Sequence, residues 1–535
     1  MNRRSRHILL TLPGCVVALF RVATQAQGTA ALAASPKPPA PMYVQEYRVL
    51  GTKQLSQEEV GAAVYPFLGP ERTADDVEQA RAALEAAYRS KGYQTVTVEV
   101  PQQQVRRGVV LLQVVENKVG RLRVKGARFF RLDDIKQKVP ALAEGKVPNF
   151  NDVTREIVAL NTLPDRRVTP SLRPGVEPGT VDIDLIVKDT FPLHGSVEVN
   201  NRNSADTTDL RVNGSVSYNN LWQIGHSAGA SFQVSPQNTS EVKVLSGYYI
   251  ARFPQAEWLS LMANATKQDS NVSTLGGVAV AGRGETAGVR AIMTLPPRKD
   301  FYHSLSVGMD YKHFRQNVTL GTGELLDTPV TYYPFNVSYN ATWSGKKSTT
   351  ELGAGVTLHP RGIGEDRAKF ENSRFRADSN FIYLRGDLAH THELPGGFEA
   401  YAKVQGQLSD QPLLSSEQIS GGGLGTVRGY DEAEVVGDDG AFGSLELRTP
   451  SLLHWISDKV GECRMYAFVE GGVTHIHNAL PEQQTAYQLA SLGFGGRLRL
   501  LDHLGGSLDV GFPLISQSHT LAHDPRLTFR MWADF

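Results

Sequence analysis

Few residues in this chain have the types and spacing for covalent chemistry, and each such group lacks the setting its chemistry needs. Gly225-His-Ser-Ala-Gly229 has the Gly-x-Ser-x-Gly spacing of a nucleophile elbow. An elbow exposes its serine on a sharp turn between a strand and a helix, whereas Ser231, Phe232 and Val234 here continue an alternating strand. Gly282-Arg-Gly-Glu-Thr-Ala-Gly288 has dinucleotide-like glycines without a βαβ unit around them, so it reads as a loop entering a strand. His390-Thr-His392 and His475-Ile-His477 each place two imidazoles on one strand face, a spacing that can hold a metal. No third ligand is identifiable near either pair. Cys15 and Cys463 are the only cysteines, too few for a thiolate-built zinc or iron–sulfur site, and Cys463 reads as a structural thiol. No catalytic residue, cofactor or metal is expected, and the chain does not read as an enzyme.

The surrounding elements are more informative. Across 535 residues, 55 basic side chains balance 55 acidic ones, so no net field draws the chain to nucleic acid, and no such partner is expected. Apolar residues make up 41%, enough for a packed core. After residue 25 no run of 18 uncharged apolar residues occurs, which excludes a bundle of membrane-spanning helices. A membrane β-barrel stays open, because its strands alternate apolar and polar residues. The chain begins with basic Met1 to His7, mostly apolar Ile8 to Phe20, then small Ala23-Thr-Gln-Ala26, the order of a secretory signal. Cleavage is expected after Ala26, with Ala34 as the second candidate.

From Met42 two copies of one pattern follow. In the first, Tyr43 to Leu50 and Gly51 precede Ser56-Gln-Glu-Glu59, a capping box ahead of Val60, Ala63, Val64 and Phe67. Thr73-Ala-Asp-Asp76 opens a second helix with Val77, Ala80, Leu84 and Tyr88 at helical spacing, and Gly92 stops it. Strands are predicted at Thr95–Val100 and Val109–Glu116. The second copy opens with Arg121–Lys125 and Gly126, which stands 75 residues after Gly51. Its helices are predicted at Leu132–Leu142 and Asn151–Leu163, and its strands at Arg167–Leu172 and Val181–Val187. Each unit therefore reads β-α-α-β-β, with sheet edges able to accept another extended chain.

After Asp189 the helical period stops, and alternating segments of roughly ten residues run from Gly195 to Phe535, the length of a membrane-spanning strand. Tight connections (Leu221–Gly225, Pro254–Glu257, Pro296–Asp300, Gly345–Lys347, Leu394–Gly396, Leu501–His503) alternate with long polar ones (Lys267–Arg283, Phe314–Thr331, His359–Ser379, Ser409–Gly440, Thr474–Ala486, Pro513–Pro525). Short on one side and long on the other is the barrel signature. Of 17 candidate strands, treating Val272–Ala281 as loop leaves 16 and restores parity. In the last strand, Leu527, Phe529, Met531, Ala533 and Phe535 make one apolar face. Aromatics such as Tyr248, Tyr249, Trp258, Trp343, Tyr401 and Trp532 are assigned to the interfacial girdles.

The loop Gly421-Gly-Gly-Leu-Gly-Thr-Val-Arg-Gly-Tyr430, with five strands after it, resembles the sixth extracellular loop of the POTRA-plus-barrel superfamily, whose mark here is Val427-Arg428-Gly429-Tyr430. Leu160-Asn-Thr-Leu-Pro-Asp-Arg166 with Leu172-Arg-Pro-Gly175 resembles the second POTRA unit of two-partner secretion transporters (the TpsB type, haemolysin and filamentous-adhesin exporters). Trp532 and the terminal Phe535 resemble the carboxy-terminal assembly signal of bacterial outer-membrane proteins. The resemblance implies a transporter in the bacterial outer membrane with its POTRA units in the periplasm. It would bind an unfolded exoprotein of haemolysin or adhesin type (TpsA) and secrete it through the barrel, a haemolysin being activated on the way. It further implies that Arg428 folds into the lumen and pairs with an acid on the second strand after the loop. Glu470 stands there, where an aspartate is usual, and Glu446 is the second candidate. Gly421, Gly422, Gly423 and Gly425 would let the loop take positive φ and pack against the wall.

The expected fold is a membrane all-β barrel of 16 antiparallel strands preceded by two α+β POTRA domains. The expected divisions are a signal peptide over 1–26, a proline-rich linker over 27–42, POTRA units over 43–118 and 119–190, and the barrel over 191–535. Pro36-Lys-Pro-Pro-Ala-Pro41 favours an extended conformation, and Gly28–Ala34 is too short to span a barrel of about 30 Å as a helix. No full-length plug helix is expected, so closure of the resting pore falls to the loop. Lipid and the barrel-assembly machinery are the further expected partners, and the protein is expected to be a monomer. The rival from another class is an assembly factor that inserts other barrels into the membrane.

Overall fold

A computed structural model describes residues 41–535 apart from 162, 164, 254, 271, 274–279, 282, 320–324, 456–460 and 502. The expected signal peptide, nearly all of the linker and any plug segment lie outside the described residues.

The first small unit begins its helices where side chains satisfy the free N–H groups. Helix Gln57–Val64 starts at Ser56, whose Oγ accepts the Glu59 N–H at 3.3 Å while the Glu59 carboxylate accepts the Ser56 N–H at 3.0 Å. The Lys91 ammonium and that Ser56 N–H hold the Glu59 carboxyl at about 2, below its ordinary 4.5. Helix Ala74–Ser90 starts at Thr73, whose N–H donates to Asp76 at 2.8 Å, and it buries Val77, Ala80, Leu84 and Tyr88. They cover a sheet in which Glu46–Leu50 runs parallel to Val109–Glu116, with Val96–Glu99 antiparallel on the other edge. The predicted first strand is split. Met42–Val44 leaves that sheet and pairs with Gly69–Arg72, an unpredicted strand.

The second small unit repeats this order, with Lys118–Lys125, Thr180–Asp189 and Arg166–Pro174 side by side. Its first helix is Leu132–Gln137 rather than the longer one predicted, because Pro140 lacks an N–H and opens a separate 3₁₀ turn, Pro140–Leu142. Its second helix is Phe150–Leu160, and Ile135, Leu142, Val153, Leu160, Ile183 and Leu185 form its buried core.

From Leu193 the strands pair antiparallel in chain order, and Arg526–Asp534 closes on Leu193–Asn200 through pairs from Arg530–Asn200 to Asp534–Ser196. Sixteen strands result when Leu325–Tyr332 and Phe335–Ser344 are taken as one strand interrupted at Tyr333-Pro334, since both halves pair with the long strand Phe301–Thr319. Phe314–Thr331, predicted to be a loop, is therefore mostly ladder. Val272–Ser273 and Val280–Ala281 form a small separate hairpin outside the barrel ladder. The connection His359–Ser379 contains an unpredicted helix, Arg367–Ser373, capped by the Asp366 carboxylate.

Alternation sets the two barrel faces. Val289, Leu408, Leu445 and Val469 are 60–66% exposed on the outside, an apolar wall that lipid covers. Ser215, Ser246, Asn264, Thr266 and Thr286 line a cleft of about 590 Å³ on the inside. The tight turn after Leu221 meets the second small unit, where the Asn220 amide donates to the Phe129 carbonyl at 3.3 Å. The tight turns thus lie at the end that carries that unit. Parity also corrects three aromatic assignments, and the first is Tyr248, which is directly opposite the inward Asn264 and so faces the inside. Tyr401 and Trp532 share the inner face, with the Arg448 guanidinium 4.6 Å over the first ring and that of Arg530 5.4 Å over the second.

Candidate functional site

Strand Glu399–Ser409 returns as Asp439–Arg448 after a long connection in which Ile419–Gly421 pairs with Val435–Gly437. The connection is thus a hairpin, and it is turned into the barrel. Val427 and Tyr430 are at most 1% exposed and pack with Ile419, Val435, Phe442 and Leu489. An outer loop in water has no reason to bury a valine and a tyrosine together.

At its tip Arg428 meets three carboxylates from three strands. Its Nε and Nη2 donate to Glu470 Oε1 at 3.0 and 2.6 Å, and its backbone N–H donates to Glu470 Oε2 at 2.7 Å. Nη2 also donates to Glu446 Oε2 at 2.9 Å, and Nη1 donates to Asp509 Oδ1 at 3.0 Å. The guanidinium lies 3.5 Å from the centre of the Phe468 ring, a cation–π contact closed off from water. The carboxylates are themselves held. Ser444 donates to Glu470 at 2.9 Å, Arg448 Nε to Glu446 at 2.6 Å and the Tyr466 hydroxyl to Asp509 at 2.8 Å. Both acids proposed from the sequence, Glu470 and Glu446, are at the guanidinium together. Asp509, which sequence reasoning missed, is the third. Its strand, Leu504–Pro513, exposes Leu504 and Leu508 outward, so alternation alone could have marked Asp509 as its inward acid.

Backbone proximity seats the neighbouring residues. Gly429 has φ +97°, and a methyl group there would stand 3.1 Å from the Gly511 carbonyl carbon. One placed on Gly511 would come 2.6 Å from the Gly429 nitrogen, so two glycines face each other where loop meets wall. The Tyr430 hydroxyl donates toward the carbonyls of Ala490 (3.0 Å) and Ile515 (2.8 Å). Asp431 pairs with Arg526, and Glu432 accepts from Arg202 Nε and Nη2 at 2.6 and 3.2 Å, with both partners buried. Gly422 and Gly423 take φ of +105° and +81°, and a methyl group on Gly421 would meet the Phe442 ring. Gly421 and Gly425, expected to take positive φ as well, do not, and Gly425 is in the turn between Gly423 and Arg428.

The limb leading into the hairpin has its own anchor, for which no motif prepared the reading. Glu417, 1% exposed, accepts from the hydroxyls of Tyr332 (2.5 Å) and Tyr383 (2.8 Å) and from the Lys312 ammonium. Asp438, fully buried at the other limb, accepts from the N–H groups of Leu413 and His477 at 2.8 and 2.7 Å.

The remaining sequence candidates are elsewhere. Ser227 is buried on strand His226–Val234 and accepts from Arg252 at 2.8 Å. Cys463 is a free, half-buried thiol on the strand Gly461–His475. Phe535 lies at the barrel seam, its N–H donating to the Gly195 carbonyl at 3.0 Å, and Trp532 faces inward against Gly505.

Comparison with known proteins agrees with this architecture. The family model described as haemolysin secretion/activation protein ShlB/FhaC/HecB matches residues 179–498, and that of the ShlB-type POTRA domain matches residues 42–117. Outer membrane transporter CdiB of Dickeya dadantii is 22% identical over 493 residues, 88% of this chain and 82% of that protein. Heme/hemopexin transporter protein HuxB of Haemophilus influenzae is 20% identical over 414 residues, 74% of this chain and 70% of that protein. The solved structure of CdiB from Escherichia coli shares the fold, with a TM-score of 0.66 at 20% identity over 95% of this chain and 93% of that one. With the family model spanning more than half of its residues, the chain belongs to the haemolysin secretion/activation family ShlB/FhaC/HecB: it is an outer-membrane transporter of a secreted partner protein, with its POTRA domains in the periplasm.

Proposed function

We propose that the two small units capture an unfolded exoprotein of haemolysin or adhesin type, and that its segments then pass through the barrel as the hairpin around Arg428 leaves its seat. The observation that carries this reading is the guanidinium bonded to Glu446, Glu470 and Asp509, which holds a chain segment inside the lumen. Val427 to Tyr430, the loop glycines and these acids are the working parts, and Trp532 and Phe535 serve assembly by the barrel-assembly machinery. Capture proceeds by strand addition at a free sheet edge, where main-chain bonds bind an extended segment with little regard to its sequence. Residues 1–26 act as the signal peptide, 27–42 as the linker, 43–118 and 119–190 as the POTRA units and 191–535 as the barrel. The protein works as a monomer without cofactor or catalysis. Export is driven by folding of the partner outside the cell, which prevents its return.

The test is secretion of the partner exoprotein by cells carrying Arg428→Ala, with surface abundance of the barrel followed in parallel. Loss of export at normal abundance is expected. Undiminished export would remove the loop from the mechanism. Export that survives deletion of the whole gene, while other barrels fail to assemble, would instead establish the insertase reading.

A further inference from the structure

The two histidine pairs have different neighbours. Directly opposite His390 and His392 are Thr350, Ala402, Ser348 and Ala400, none of them an acid, and the nearest polar contact is Thr350 Oγ1 at 2.8 Å from His390 Nδ1. His475 is directly opposite Asp439. Asp439 Oδ2 lies 2.5 Å from His477 Nε2 and 3.8 Å from His475 Nδ1, and one donor atom from each of the three residues falls within 4.8 Å of the others. The other carboxylate oxygen accepts the Ser409 N–H at 2.7 Å, which keeps Oδ2 turned toward the imidazoles.

We propose that Asp439, His475 and His477 form a binding site for a divalent transition ion of the zinc type at the outer end of the barrel. Two imidazole nitrogens and one carboxylate oxygen suit a borderline ion, and a water completes a tetrahedron. Ligands about 2.0–2.2 Å from an ion stand roughly 3.3 Å from one another, so loading separates Asp439 from His477 slightly and draws His475 in. The His475 side chain is 54% exposed, which leaves an entry path. The Ser409 N–H supplies the outer bond that orients a ligating carboxylate.

The position gives the ion a structural consequence. Asp439 and His475 point to the outer wall, on the face of Leu445 and Val469, while the adjacent Asp438 is buried and gathers the Leu413 and His477 N–H groups and the Gln418 amide. An ion bound by His477 and Asp439 therefore stiffens the base from which the lumen hairpin springs.

The experiment is calorimetric titration of ZnCl₂ into the untagged full-length protein in detergent after removal of metal by EDTA. One ion per chain is expected. His475→Ala, His477→Ala and Asp439→Asn are each expected to weaken binding at least about tenfold, while His390→Ala/His392→Ala leaves it unchanged. Each variant is first checked for the gel mobility of a folded barrel. As a second measurement, zinc raises the melting temperature of the unsubstituted protein and not that of His475→Ala/His477→Ala. Absence of saturable binding would overturn the site, as would binding that survives loss of both histidines or falls equally with His390 and His392.

Discussion

Arg428 answers three carboxylates with one positive charge, and the three do not hold it equally. Glu470 takes two side-chain donors and the backbone N–H, whereas Asp509 takes one donor and has the Tyr466 hydroxyl besides. Breaking a buried pair typically costs about 3–5 kcal/mol, because the group left behind stays desolvated. Arg428→Ala takes the cation from Glu470 and Asp509 and leaves Glu446 with Arg448 alone, so an unseated hairpin is expected to become roughly 10²–10⁴-fold more populated. Glu470→Gln follows, and Asp509→Asn, which keeps an acceptor and relieves surplus negative charge, changes least. Single-channel conductance in planar bilayers checks the order, as open time in the sequence Arg428→Ala, Glu470→Gln, Asp509→Asn. An equal effect of the three would show that total charge, not this geometry, seats the loop. Lysine is no substitute for Arg428, because a point charge cannot direct separate donors to acids on three strands.

At the scale of elements, the hairpin docks because two backbones approach without side chains between them. Gly511→Ala introduces a methyl group 2.6 Å from the Gly429 nitrogen at a strand position with no positive φ of its own, so its effect comes from the approach alone. Gly429→Ala adds strain at φ +97°, of the order of 1 kcal/mol. Both are expected to speed thermolysin cleavage within 422–434 while the barrel stays folded, and the double variant to fall short of the sum because both disturb one contact. Cleavage as slow as in the unsubstituted protein would refute this docking.

Strand alternation and loop parity made the barrel legible, and the arginine motif led to Glu470 and Glu446. Asp509 and Glu417 were not legible in the same way. Alternation tells which face a residue takes, but not which residues of distant strands lie at one height, and Asp509 follows Arg428 by 81 residues. Glu417 is buried only because its loop folds inward against Tyr332 and Tyr383, a contact that no local spacing encodes. The helix Arg367–Ser373 escaped notice for a similar reason. It is too short to show a period and is placed by Phe370 packing on Tyr332 and Phe381.

For the whole molecule, the connections of the hairpin are spread around the wall. Glu417 reaches strands containing Lys312, Tyr332 and Tyr383, Arg428 reaches those of Glu446, Glu470 and Asp509, and Glu432 and Asp431 reach Arg202 and Arg526 on either side of the seam. Replacing residues 422–434 by a short flexible linker should therefore do more than enlarge the pore. Conductance should rise and also spread between molecules, and the temperature at which the folded barrel loses its gel mobility should fall. A larger but uniform pore of unchanged thermal resistance would mean that the hairpin only occupies space. The hairpin is tied to the wall as a hub is to its rim, with the ion pairs as spokes, and a rim of strands with its spokes cut can go out of round. On the proposed route, cargo that pushes the hub aside would work against the roundness of the barrel itself, and the rim's return to its round form would bring the segment home once the cargo has gone.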